Sequence, residues 1–301
     1  MGGHRLPWLL LSALLGGSPA LAAPEPLQCQ AALAKAQQQQ QDLASRVAGL
    51  AVLLLGEIHT SADDHAWQLG MLERLSSQRR LSLAVEMIPA ARQPVLDRFN
   101  RGQLDEAELL RQVDCPAVWG HDPDLYLPLL RWARLRQVPL LALNAEPTLV
   151  RQVRRQGLSG TPTAKRQGIS QPAPGSQAYR QRLQSSWRGH QGTSPAPTNR
   201  RDLERFIDSQ LLRDRAMAEQ LLAAHRRDPK RLVVGLIGLG HLQDGDGVPS
   251  QLRDLGLTRQ LSLQRPALPE GCTPPPQGAR LGAYLESDDS GVWVRQVAPW
   301  C

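Results

Sequence analysis

Leu50–Leu55, LAVLLL, runs without a break into Gly56-Glu57-Ile58-His59. Six apolar residues ending in a glycine and two polar groups read as a strand buried on both faces, followed by a tight turn. Three further runs repeat the pattern. Leu81–Val85 ends in Glu86, Val138–Leu143 ends in Asn144 with Glu146 close behind, and Leu232–Ile237 runs into Gly238-Leu239-Gly240-His241. Helical stretches separate the four, so they predict parallel strands of an α/β sheet. In such a sheet ligands bind outside the carboxyl ends of the strands. Glu57, His59, Glu86 and His241 are therefore expected in one crevice.

The intervening segments read as helices. Ser61 sits at capping distance from Asp64, and Trp67, Met71, Leu72 and Leu75 mark one apolar face. Residues 93–112 read as one or two amphipathic helices, 124–136 as another, and 148–155 as a short helix ending at Gly157. Residues 202–225 carry the strongest helical pattern, with Leu203, Phe206, Ile207, Gln210, Leu211, Asp214, Met217 and Leu221 on one side. Residues 158–200 are rich in Gly, Pro, Ser, Thr and Gln and read as a flexible basic insertion. Beyond residue 256, a strand near 260–263 and a β-hairpin turning at Asp288–Gly291 are expected over 257–301.

The chain has 301 residues and a formal net charge of +7. Ten Lys/Arg and no acid fall between Arg151 and Arg201. This charge suits an anionic small ligand; aromatic interleaving is too sparse for nucleic acid. Residues 1–22 have the basic start, short apolar core and Ala20-Leu21-Ala22 site of a signal peptide. A periplasmic location follows as the expectation. No later apolar run is long enough to span a bilayer, and Cys29 lacks the sequence context of a lipid anchor. Residues 23–45 form an Ala/Gln-rich leader, and 46–256 the main domain. The even cysteine count predicts disulfides, Cys272 with Cys301 from the hairpin register and Cys29 with Cys115 by elimination.

Two G-x-x-H turns and two glutamates admit two chemistries. His59, His241 and Glu57 are a plausible divalent-metal set. The same groups with Glu86 could act as general acids and bases. His65 and Asp63-Asp64, on the next helical turn, are either supporting groups or helix-capping acids.

LLLGEIHTSADDHAWQLGMLERL (53–75) resembles the opening of the ChaN-like haem-binding proteins, within the Tiki/TraB and erythromycin-esterase-like superfamily. The resemblance extends through LAVEMIPAARQPVLDRF, DLYLPLLRWARLRQVPLLALNAEPTLVRQV, SQLLRDRAMAEQLL and LIGLGHLQDGDGVPSQLRDLG. It implies an α/β sheet flanked by helices with a smaller insertion, and a role in haem or iron uptake. It further implies haem held between two subunits of a homodimer through a tyrosine. Tyr126 is the ligand that resemblance picks out, with His190 as the second-subunit partner. The Tiki branch implies instead a metal-dependent hydrolase built on Gly56/His59, Gly238/His241 and Glu57 or Glu86.

Overall fold

The computed structural model describes residues 29, 31, 43, 45–190, 199–266 and 285–286. The anticipated strands form β1 (Val52–Glu57), β2 (Leu81–Pro89), β3 (Leu140–Asn144), β4 (Leu232–Gly238) and β5 (Gln260–Gln264), all mutually parallel. A two-residue strand, β6 (Leu285–Glu286), adds antiparallel to β5. The spatial order is β3-β2-β4-β1-β5-β6. The chain is an α/β protein, as the alternation of apolar runs and helices requires.

Helices cover both faces. On one side lie α1 (Ala62–Ser76), α2 (Gln93–Asn100), α3 (Glu106–Val113), the single turn α4 (Cys115–Val118) and α5 (Leu127–Leu135). The anticipated 124–136 helix is interrupted: a 3₁₀ turn at Pro123–Leu125 precedes α5, and Tyr126 sits at the junction. On the other side lies α8 (Arg200–Arg227) with α9 (Val248–Asp254). Between β3 and α8 run α6 (Pro147–Gln156) and α7 (Gln177–His190).

Strand side chains alternate between the two layers. Leu53 and Leu55 join one core with Met71, Leu72, Leu75, Leu83 and Leu236, while Val52 and Leu54 join the other with Met217, Leu221, Val233 and Ile237. Every residue of β1, β2 and β4 is buried, and each Leu-sized side chain so buried is worth about 1.5–3 kcal/mol. Leu43, within the stretch anticipated as a leader, is buried in the first core.

The insertion departs from expectation. Residues 158–190 are folded, with Leu158, Ile169, Tyr179 and Leu183 buried against α8. The apolar residues are few but spaced for a helix: Tyr179, Leu183 and Trp187 recur every fourth position along α7. Polar staples supply the rest. The buried Arg166 donates to the Thr161 and Leu158 carbonyls, each at 2.7 Å, and to Gln171 at 2.6 Å. The Leu158 amide donates to Asp208 at 2.8 Å, and Gln251 exchanges two hydrogen bonds with the Ala173 backbone.

Cys115 is a free thiol, so the Cys29–Cys115 pairing is not formed. The Cys272–Cys301 pairing, the signal segment and the tip of the hairpin lie outside the described residues. No helix among the described residues is long and apolar enough to cross a membrane.

Candidate functional site

The strand order places β2, β4 and β1 side by side at the centre of the sheet. Their carboxyl ends bring Glu86, Gly238 and Glu57 together, with Asn144 of β3 next in line. Glu86 is not at the end of its strand. β2 continues to Pro89, and the pairing with β3 shifts register after Val85. That irregularity frees Glu86 from the regular ladder and turns its carboxylate towards the crevice.

Two carboxylate–imidazole pairs meet there. Glu57, 2% exposed, accepts from the Tyr126 hydroxyl at 2.6 Å, contacts His59 Nδ1 at 2.9 Å through the same Oε1, and accepts from Gln68 at 2.8 Å on Oε2. His65 Nε2 lies 3.6 Å away. In the second pair, His241 Nδ1 is 2.5 Å from Asp214 Oδ1, and its Nε2 is 3.5 Å from Glu86 Oε1. Tyr179 donates to the other oxygen of Asp214. Glu86 binds the network together, accepting from the Gly238 amide at 2.7 Å and from Arg213 at 3.0 Å, while its carbonyl accepts from Asn144 at 3.1 Å.

Two glycines make room for this arrangement. A Cβ on Gly238 would lie 2.5 Å from His59 Cε1, so only glycine lets the β4 turn pass the His59 ring. Gly247, at φ +60°, would collide through a Cβ with the His241 carbonyl at 2.3 Å. The glycine of the second G-x-x-H turn thus accommodates the neighbouring imidazole.

Electrostatics follow from burial against pairing. Burial pushes Glu57 up, but the His59 hydrogen bond and the His65 imidazole 3.6 Å away outweigh it and hold the carboxyl well below its usual range. Burial likewise opposes ionisation of Glu86, and His241, His59, Arg213 and the Gly238 amide reverse it downwards. His59 is raised: burial disfavours its cation, and Glu57 and Glu86 more than compensate. His121, beside it, is lowered by burial and by the His59 charge.

Tyr126 is the ligand that the family resemblance implies. It is buried beneath the site with its hydroxyl committed to Glu57, and burial plus the Glu57 charge push its pKa far up. In this arrangement its hydroxyl supports the Glu57 carboxylate at 2.6 Å. His190 is the last residue of α7, and its side chain is outside the described part. Among the described residues no three His, Cys, Asp or Glu side chains, Glu57, His59 and His241 included, gather as ion ligands.

Above the network opens a cavity of about 370 Å³. Its floor is His59, Glu86, Asn144 and His241; its walls include Trp119, Val150, Leu183, Trp187 and Phe206; Arg151, Arg154 and Arg213 contribute cations. Arg154 stacks 4.3 Å from the centroid of Trp187, whose buried indole N–H has no hydrogen-bond partner among the described residues. His121 stands with them in the lining. Aromatic walls, cations, an unsatisfied donor and an imidazole fit an amphipathic, carboxylate-bearing metalloporphyrin. The volume, near the lower end of the range of about 300–1,000 Å³ for ligand clefts, fits part of such a ring.

Asp214, Arg213, Trp119 and His121 were not anticipated as site residues. Asp214 had a visible signal, an acid on the apolar face of the strongest helix. Arg213, one position earlier, had none.

The model of the haem-binding uptake family (Tiki superfamily, ChaN) matches residues 43–252. Among solved structures, the ChaN of Campylobacter jejuni, described with cofacial haem binding, superposes with a TM-score of 0.59 at 19% identity. The match covers 74% of this chain and 84% of that one. The MARTX toxin effector domain RRSP of Vibrio vulnificus matches at TM-score 0.48 and 14% identity, over 87% of this chain and 40% of that one. These likenesses are of fold. No curated protein matches by sequence.

Proposed function

Since the chain belongs to the haem-binding uptake family of the Tiki superfamily, ChaN, we propose that its strand-end cavity is where haem binds during uptake. The carrying observation is the cavity lining: aromatic and aliphatic walls for a porphyrin face, with Arg151 and Arg154 placed for its carboxylates. Arginine suits that task because its planar fork pairs with carboxylates through charge-assisted hydrogen bonds. A bound haem would supply its iron as a coordination centre, while Trp119, Trp187 and Phe206 exclude water from one face. A cavity that houses only part of the ring favours a second copy of the chain over the remainder, a homodimer on haem binding. The signal-like residues 1–22 support a periplasmic site of action.

Titration of haemin followed at the Soret band tests this. Wild type should bind. Arg151→Glu with Arg154→Glu should weaken binding by about tenfold or more. Equal haemin affinity in wild type and the double variant would remove the cavity from consideration.

A second reading is hydrolysis. The observation favouring it is His241, held through Nδ1 by Asp214 and presenting Nε2 towards Glu86 at the cavity floor. An imidazole so oriented suits general acid–base work on an ester or amide. Activity on such substrates that disappears in His241→Ala would support it.

A further inference from the structure

We propose that the amino-terminal end of the sheet, opposite the cavity, is a docking face for an anionic lipid surface. Parallel strands all begin at one end, so the segments that lead into them line up there. Across the sheet, residues 135–139 enter β3, 77–80 enter β2, 226–231 enter β4 and 255–259 enter β5. These segments hold eight Lys or Arg and one acid, Asp228. At the cavity end the loops after β1 and β4, residues 58–64 and 239–247, hold four Asp and no Lys or Arg. The connections at the two ends of the sheet thus differ in sign.

Asp228 does not neutralise this row. It pairs with Arg231 at 3.0 Å and with Arg80 at 3.7 Å. Arg136, Arg226, Arg227, Lys230 and Arg259 are exposed and have no acidic partner among the described residues. Arg259 instead lies 3.4 Å from His225, whose pKa is lowered by burial and by the Arg259 and Arg79 charges. Local duties explain some of the cations. Arg79 donates to the Val47 and Leu50 carbonyls, and basic residues suit the last turn of α8. No such duty accounts for the loop residues Arg136 and Lys230. A second observation is independent of charge. Leu135, next to Arg136, is 76% exposed, the only large apolar side chain so exposed among the described residues. Cations draw a protein to an anionic bilayer, and an apolar side chain then enters the headgroup boundary. A single leucine among cations fits that boundary better than a protein interface, whose centre is a packed apolar cluster. Docked in this way, the molecule turns its cavity away from the lipid.

Co-sedimentation of the full-length protein with lipid vesicles tests this. Wild type should pellet with vesicles containing phosphatidylglycerol and stay in solution with phosphatidylcholine alone. Salt at about 0.5 M should release it, because screening then acts within a few ångström. Arg226→Glu with Arg227→Glu should weaken binding about tenfold or more, since each cation near the surface is worth about fivefold. Arg200→Glu with Arg201→Glu makes the same change of charge at the other end of α8, about 40 Å away, and should bind as wild type does. Leu135→Ser alters an exposed position without changing charge and should weaken binding about threefold. Equal loss in the two α8 variants would reduce the attraction to net charge and overturn the docking face. Full binding by both Arg226→Glu/Arg227→Glu and Leu135→Ser would overturn it too. So would a wild type that ignores phosphatidylglycerol vesicles, which would leave an acidic protein as the partner of the basic row.

Discussion

The central strands and the insertion that walls the cavity are held together by different physics. β1, β2 and β4 are buried along their whole length and, apart from Glu57, Ser82 and Glu86, carry apolar side chains packed in one of two layers. The 158–190 segment has few apolar residues. It is fixed by Arg166 across three acceptors and at Ser170, whose hydroxyl accepts from Arg215 at 2.8 Å and whose amide donates to Glu219 at 3.1 Å. α8 serves both regions: Met217 and Leu221 face the sheet, while Ile207 and Leu211 hold α7. Burial is additive and tolerant of small changes. A polar staple depends on every partner being present, since an orphaned buried group costs its full desolvation. The cavity thus has a rigid floor and a wall that is easier to unfasten.

The largest effect should come from the shared helix. Met217→Asp places an unpaired charge in the sheet core and should cost more than about 4 kcal/mol. Thermal unfolding followed by circular dichroism should show both regions lost together. A folded variant with a normal melting curve would mean that α8 is not common to them.

Arg166→Ala should be smaller and local. It leaves the Thr161 and Leu158 carbonyls short of a donor, a cost of about 1–3 kcal/mol. Hydrogen exchange should rise over 158–175 while β1 and β4 keep their protection. Equal loosening of the strands would erase the distinction between staple and core.

The smallest effect concerns the floor of the cavity. Glu57 and Glu86 have lowered pKa values and His59 a raised one. The carboxylates stabilise the fold above their ordinary 4.5, and that contribution fades as pH falls through their lowered values. The His59 cation stabilises below its ordinary 6.5 and fades as pH rises through its raised value. The network should therefore contribute most between 4.5 and 6.5. Melting temperatures should decline on the alkaline side, and Glu57→Gln should flatten that decline. A wild-type profile that is level from about pH 5 to about pH 9 would contradict the His59–Glu57 pairing.

Much of this was legible in the chain itself. Continuous apolar runs declare buried parallel strands because nothing else buries them so completely. Their polar ends, Glu57, Glu86, Asn144 and His241, share a crevice because parallel strands deliver their carboxyl ends to one side. The family resemblance could be read from the same segments. What each site group bonds to was decided only by the tertiary structure. Tyr126 becomes a support for Glu57 because α5 docks beside α1. Asp214 reaches His241 because α8 crosses the sheet at that height. The insertion folds because donors and acceptors as far apart as Ala173 and Gln251 find each other. Periodicity reports which face of an element is apolar, a local property. Hydrogen-bond partnership between distant residues depends on where whole elements come to rest, which no local pattern encodes.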